Sequence, residues 1–385
     1  MVRLGIIGAG NMGTMHIGSV LNGKAGNCTL AAVCEGNPER RASLKDRLPQ
    51  SVQIYDDPRD LMISGKVDAV LIATPHISHP PLAIEAFSNG LHVLTEKPAG
   101  VYTKQVREMN EAAVESGRVF AIMFNQRTNP LYTAVKRLIA NGELGQIMRF
   151  NWIITDWYRT QEYFNSGGWR GTWSGEGGGV LLNQDPHQLD LIQWLCGMPK
   201  RVRAFCSFGR YHEIEVEDDV TAYLEYENGA TGVFVSSTGE YPGTNRLEIV
   251  GDKGKIVVEE GKLYFNQLKT PLSYHTKNAP DPFSGPECWA CQVPVTEENT
   301  QHAGVLKNFT EAILNGIPLL APGIEGINSL SISNAIYLST FTDAWVELPV
   351  DEELFYRLLK ERIEKSNYRK PEVSKSTVVD LSGTY

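Results

Sequence analysis

Up to residue 124, short apolar runs alternate with longer stretches in which apolar positions return every three or four residues. The runs are Val2 to Ile7, Thr29 to Glu35, Val67 to Thr74, Leu91 to Thr95 and Arg118 to Phe124. They read as strands, and the patterns between them read as helices. Strands joined through helices form right-handed crossovers, which build a parallel sheet covered on both faces. Beyond residue 146 the texture changes to longer strand-like segments: Gln146 to Trp157, Lys200 to Phe208, Asp218 to Glu227, Ala230 to Ser237, Asn245 to Val250 and Lys255 to Glu259. Short turns such as Glu227-Asn228-Gly229 and Gly251-Asp252-Lys253-Gly254 make several of these antiparallel neighbours. Helical patterns at Pro186 to Cys196, Gly304 to Asn315 and Gly323 to Phe341 are available to cover one face of that sheet or to pack beside it. Lys269 to Thr300 reads as a long irregular loop and Glu364 to Tyr385 as a polar tail. No internal repeat is present.

At 385 residues the chain exceeds what one core usually supports. The pattern divides it into units 1–124 and 125–385. A formal charge of -9 and a pI near 5.5 argue against a nucleic acid or an anionic membrane as partner, since both reward clustered Lys and Arg. A small molecule is the expected partner. Six scattered cysteines (Cys28, Cys34, Cys196, Cys206, Cys288, Cys291) read as reduced thiols, and the pair in Cys288-Trp289-Ala290-Cys291 lacks the further ligands of a zinc site. No metal is expected. The first strand leaves no room for an export signal and no stretch reaches a membrane-spanning length, so a soluble cytoplasmic protein is expected. An uncovered face of the second sheet would suit a homo-oligomer, a dimer or tetramer.

Gly8-Ala9-Gly10-Asn11-Met12-Gly13 lies where the first strand meets the first helix. Gly8 permits a tight turn, Gly10 lets backbone amides approach a pyrophosphate, and Gly13 lets helix and strand pack closely. The second strand ends at Glu35, whose carboxylate can take both hydroxyls of an adenosine ribose and would repel a 2′-phosphate. NAD is therefore expected rather than NADP. Arg40, five residues on, is read as lying on the following helix or stacking on adenine. Thr74-Pro75-His76-Ile77-Ser78-His79 follows another strand at the carboxyl edge of the sheet, where open parallel sheets bind ligands, so Thr74, Pro75, His76 and His79 join the cofactor candidates. Glu96-Lys97-Pro98 ends a further apolar run and sets an ammonium beside the nucleotide site.

In the second unit, Asn165 to Trp173 leads through Gly175-Glu176-Gly177-Gly178-Gly179 to Asn183, Asp185, His187 and Asp190. The glycines would let backbone approach a ligand, and the tryptophans offer faces that stack on sugar rings. Asn183 and His187, four apart, share one face if a helix begins near Asn183. A neutral histidine beside a reacting hydroxyl is a natural general base. Asp185 is either a helix cap or a further participant.

Together Gly8-Ala9-Gly10, Thr74-Pro75-His76, Glu96-Lys97-Pro98 and Gly177-Gly178-Gly179 with His187 and Asp190 resemble the Gfo/Idh/MocA oxidoreductases. The resemblance implies an α/β protein with an N-terminal Rossmann parallel sheet and a C-terminal α+β domain with a large open, mainly antiparallel sheet. It also implies NAD(P)-dependent redox chemistry on sugars and cyclitols, with Lys97 bridging cofactor and substrate and His187 as acid/base. Many members carry aspartate four residues before that histidine; here it is Asn183, which can orient a hydroxyl but cannot share a proton as a carboxylate does. The stretch from Gly171 to Gln184 and Asp156 to Arg159 look similar to members that oxidise pyranosides, including glucoside 3-dehydrogenases. Oxidation of a ring carbinol of a sugar, glycoside or cyclitol to a keto sugar is the expected reaction. Asn125, Met12 and Asn11 complete the cofactor candidates, and Tyr158, Arg159, Trp169 and Arg170 those for the substrate wall. A redox-neutral NAD-dependent glycosidase or a keto-sugar reductase would use the same residues. A non-catalytic NAD(H)-sensing regulator would need neither Lys97 nor His187.

Overall fold

The computed structural model describes residues 1–366 and Tyr368. Residues 367 and 369–385 of the expected polar tail lie outside the described residues, while Glu364 and Lys365 end a helix, Glu352–Lys365.

Six parallel strands form the first sheet: β1 (Val2–Ile7), β2 (Cys28–Cys34), β3 (Gln53–Tyr55), β4 (Ala69–Ile72), β5 (His92–Thr95) and β6 (Phe120–Ile122). Their order is β3-β2-β1-β4-β5-β6, which puts the chain's reversal of direction between β1 and β4. The three-residue β3 escapes the sequence pattern because it is too short to form an apolar run, although Ile54 and Tyr55 pack against the core. β4 shows why these strands are uniformly apolar: Val70 and Ile72 enter the core on one face, and Ala69 and Leu71 the core on the other.

The second sheet has nine strands among the described residues: β7 (Ile147–Ile154), β8 (Arg201–Phe208), β9 (Glu217–Glu225), β10 (Thr231–Ser237), β11 (Asn245–Gly251), β12 (Gly254–Glu259), β13 (Lys262–Leu268), β14 (Cys288–Val293) and β15 (Val346–Glu347). Their order is β14-β13-β12-β11-β7-β10-β9-β8-β15. The hairpins β9–β10 and β11–β12 form at the expected turns, and β7 with β10 is the one parallel pair recorded among these strands. β7 sends Phe150, Trp152 and Ile154 into the core, while Met148 and Ile153 stay exposed with Phe205 and Tyr223 on the open side.

Two expectations need correction. The stretch Lys269 to Thr300 is not wholly irregular: it contains a helix, Leu272–Asn278, and β14, whose side chains are nearly all exposed although Cys288-Trp289-Ala290-Cys291 is apolar. Cys288 and Cys291 stand on that strand, exposed, three residues apart and so on opposite faces. The helix Gln301–Asn315 does not cover the second sheet either. Its Val305, Leu306 and Phe309 join Val2, Leu4, Ile6, Leu71 and Leu94, so it covers one face of the first sheet. The helix Gly326–Thr342 does pack on β8, where Ser339 Oγ accepts from the Ala204 N–H at 3.0 Å. A single apolar cluster then runs from the first sheet through this helix into the second sheet.

Candidate functional site

A cleft of about 900 Å³ opens at the carboxyl ends of β1, β2, β4 and β5 and is walled on its far side by the second unit. At the first turn Gly8 has φ +94°, and a Cβ there would stand 2.7 Å from the Ala73 oxygen. A Cβ on Gly13 would stand 1.9 Å from the Gly8 oxygen, so helix and turn touch through their backbones. Gly10 has nothing within 4 Å of its Cβ position: the space over the amino end of the helix Asn11–Leu21 is free to receive a pyrophosphate. Glu35 is buried at the cleft edge, its carboxylate accepting from the Ala9 N–H at 2.9 Å, the Asn37 N–H at 2.8 Å and Arg40 at 3.0 Å. Burial opposes ionisation there, but these donors prevail and hold the acid below its ordinary value. Arg40 is thus engaged by Glu35 at the cleft wall. These residues fit a dinucleotide.

Thr74, Pro75 and His76 line the cleft as expected. His79 does not: it is buried, with its ring nitrogens 2.8 Å from the carbonyls of Pro98 and Thr74, tying the ends of β4 and β5 together. Asn125 is likewise buried away from the cleft, donating to Gln301 at the start of the helix Gln301–Asn315. Glu96 and Lys97 face the cleft. Beneath them lies His16, 2.6 Å from Glu96, with His302 packed edge-on against it. Burial would raise Glu96, but the His16 hydrogen bond together with the attraction of His16, His302 and Lys97 outweighs it and brings the carboxyl down to about 2. Lys97 is pushed down to about 8, chiefly by burial and in part by Arg170 and Arg159, against the attraction of Glu96 and Glu176. Its ammonium donates to the Asn183 carbonyl at 2.7 Å, across the two units.

Asn183 and His187 both reach the cleft, though not on one helix. A helical turn, Val180–Asn183, is followed by a break at Gln184 and Asp185, and a second helix, Pro186–Cys196, begins. His187 is buried, and neither of its ring nitrogens has a hydrogen-bond partner among the described residues. Burial, then the nearby Lys97, holds it well below an ordinary histidine and therefore neutral. Its helix is anchored by Asp190, which takes a bidentate pair from buried Arg127 at 2.7 and 2.8 Å. Asp185 makes no helix cap and does not line the cleft: it accepts from Ser236 Oγ of β10 at 2.9 Å, and burial raises it well above an ordinary carboxyl.

Tyr158, Arg159, Trp169 and Arg170 form the far wall, Arg170 lying 4.4 Å from the Tyr163 ring centroid and 4.6 Å from that of Trp169. Two sequence readings fail here. Trp173 is not a sugar platform but core, packed on Tyr337, Phe341 and Phe208. Nor do Gly177, Gly178 and Gly179 face a ligand. A side chain there would collide with Val101, Tyr337 and the Glu217 backbone, so these glycines let protein pack on protein. Residues the sequence reading passed over are Trp157, Tyr163 and Gln184 in the wall and buried Glu176 behind it. Glu176 had one signal, a lone carboxylate among glycines; Tyr163 had none.

Two family models match the chain: an oxidoreductase family with NAD-binding Rossmann fold over residues 2–124, and the Gfo/Idh/MocA C-terminal domain over residues 132–257. The scyllo-inositol 2-dehydrogenase (NAD(+)) of Bacillus subtilis is 26% identical over 268 residues, which is 67% of this chain and 73% of that protein. The D-glucoside 3-dehydrogenase of Escherichia coli is 28% identical over 249 residues, 59% of this chain and 68% of that protein. Among solved structures, the WlbA dehydrogenase from Bordetella pertussis in complex with NADH and UDP-GlcNAcA superposes with a TM-score of 0.76 at 27% identity, covering 91% of this chain and 99% of that one.

Proposed function

The chain belongs to the Gfo/Idh/MocA oxidoreductases, NAD-dependent enzymes of sugars and cyclitols, and from that premise we propose that it oxidises a ring carbinol of a sugar, glycoside or cyclitol to the ketone, with a glucoside oxidised at carbon 3 as the favoured substrate. The observation that carries this reading is His187: a buried, neutral imidazole with both nitrogens unpartnered among the described residues, at the wall of a cleft that also exposes Lys97. An unpartnered buried polar ring is costly unless a ligand completes it. His187 takes the proton of the substrate hydroxyl, and the Lys97 ammonium holds the oxygen as it gains negative charge. When bound, NAD supplies the acceptor for the hydrogen that leaves the carbon with its electron pair.

Gly8, Gly10, Asn11 and Met12 would hold the pyrophosphate, Glu35 the adenosine ribose, and Thr74, Pro75 and His76 the edge nearest the reacting end. Trp157, Tyr158, Tyr163 and Trp169 offer flat apolar faces to a pyranose or cyclitol ring. The exposed Met148, Ile153, Phe205 and Tyr223 of the second sheet support a second copy of the chain as the cover of that face.

The test is to incubate purified protein with NAD and a panel of glucosides and inositols while following NADH absorbance. One or more panel members should give NADH, and His187→Asn should abolish the signal while leaving NAD binding intact. No NADH from any member would overturn the reading. Glycoside cleavage without net NADH would replace it with redox-neutral chemistry.

A further inference from the structure

The position where many relatives of this family carry a carboxylate is here an amide, and that amide is not free to choose its orientation. Asn183 Nδ2 donates to Glu176 Oε1, and Glu176 Oε2 accepts from the Gly171 N–H at 2.6 Å. Glu176 is 2% exposed and stands behind the cleft wall rather than in it. Both Glu176 oxygens act as acceptors in these bonds, so the asparagine turns its NH₂ towards the carboxyl group. The two ends of a planar amide point apart. Asn183 Oδ1 takes no hydrogen bond from any described residue and is not sealed from solvent, and Asn183 lines the cleft. Its backbone carbonyl is already occupied by Lys97. What the residue offers the cleft is therefore a single acceptor, next to the ammonium and less than two helical turns of chain from His187.

We propose that Glu176 is a positioning residue that fixes Asn183 as an acceptor, so that this site selects substrates bearing a free hydroxyl on a carbon adjacent to the one oxidised. The substrate class is a vicinal diol. A carboxylate, ketone, ether or fluorine at that adjacent carbon brings no donor and leaves Oδ1 unpaired once water is excluded, a loss for which sites built on hydrogen bonding discriminate strongly. Asparagine and Glu176 are a matched pair in this respect. An aspartate at 183 would face Glu176 as a second carboxylate, and the two would have to share a proton.

The inference rests on the polyol-oxidation reading, and the experiment separates the two. With whichever of methyl β-glucoside or myo-inositol the enzyme oxidises, analogues are compared in which each hydroxyl in turn is replaced by fluorine or methoxy. One position beside the oxidised carbon should cost about 100-fold in kcat/KM in the wild type. In Glu176→Gln, whose amide can donate, Asn183 can flip and present its NH₂, so the same replacement should cost less than about tenfold. Glu176→Asp, the milder variant, keeps an acceptor and should keep the discrimination. A penalty unchanged in Glu176→Gln, or no sensitive adjacent position in the wild type, overturns the proposal. The second arm needs no substrate. In protein labelled with ¹⁵N-asparagine, the Asn183 side-chain amide, assigned by its loss in Asn183→Leu, should exchange slowly in the wild type and rapidly in Glu176→Gln. Rapid exchange in the wild type overturns the proposal. Slow exchange in a protein that oxidises no polyol supports the orientation and sinks only the polyol reading.

Discussion

Replacing Lys97 by Met should make the protein more stable and nearly inactive. An ordinary lysine ionises at 10.5, and burial brings Lys97 down to about 8, so the fold holds this charge at a cost of about 3 kcal/mol. Methionine removes the charge and keeps most of the volume, but forfeits the 2.7 Å hydrogen bond to the Asn183 carbonyl, worth about 1 kcal/mol net. A gain of about 2 kcal/mol remains, a rise in Tm of a few degrees at pH 7. The pH dependence has a definite sign. Between about 8 and 10.5 the unfolded chain binds the lysine proton and the native state does not, so wild-type stability rises through that window, and its deficit against Lys97→Met closes towards pH 10. The same charge is the one that meets the developing alkoxide. Losing it should lower kcat by about 10²–10³, and wild-type turnover should fall as pH rises through about 8. On the acid side His187 is held well below 6.5, so kcat/KM should show no falling limb at that pH. Thermal unfolding of both proteins at pH 7 and 9.5, with initial rates across the same range, decides it. A variant with lower Tm than the wild type, or a wild-type rate flat through pH 8, would refute the reasoning.

Glu35→Ala removes the carboxylate that meets Ala9, Asn37 and Arg40, leaving their donors for a 2′-phosphate; the NAD over NADP ratio of kcat/KM should fall by about tenfold or more, and an unchanged ratio would contradict the assignment. Gly13→Ala puts a methyl group 1.9 Å from a backbone oxygen and should cost about 1–3 kcal/mol together with NAD affinity, read by thermal unfolding and fluorescence titration. Arg127→Met strands Asp190 in a site where both partners are 1% exposed, and denaturant unfolding should show a loss of about 3–5 kcal/mol; a loss below about 1 kcal/mol would remove Arg127 as the anchor of the His187 helix.

Where the sequence carried periodic apolar signals, it announced the fold. β1, β2, β4 and β5 could be read as short apolar runs buried almost throughout, and the two hairpins because burial alternates along their strands and a turn joins them. β3, β14 and β15 could not, being short or exposed strands joined to their neighbours by backbone ladders with few core side chains of their own. The site divides the same way. Gly8, Glu35, Lys97 and His187 stand in motifs whose spacing has a mechanical reason, whereas Tyr163 and Trp157 reach the cleft only because the second unit folds over it. Glycine and tryptophan misled: the close approach that Gly177 to Gly179 allow is to Val101, Tyr337 and Glu217, and sequence does not say what a glycine lies against. Asp185 misled in the opposite sense, since its capping position at a helix start is overridden by Ser236 from β10.

The helix Gln301–Asn315 completes a core begun at Val2, some three hundred residues earlier in the chain. On a ribosome, the nucleotide-holding sheet therefore emerges long before the helix that seals one of its faces. Until nearly the whole substrate unit has been made, Val2, Leu4, Ile6 and Leu71 are covered on that side only in part, by Ile17, Val20 and Leu44 of the helices Asn11–Leu21 and Pro38–Arg47. A chain stopped at residue 124 would be left with the part of that apolar face exposed that Val305, Leu306 and Phe309 cover. The order of synthesis thus ties cofactor capture to the presence of the unit that uses it, and translation arrest between the two should yield protein for proteolysis instead of a sink for NAD.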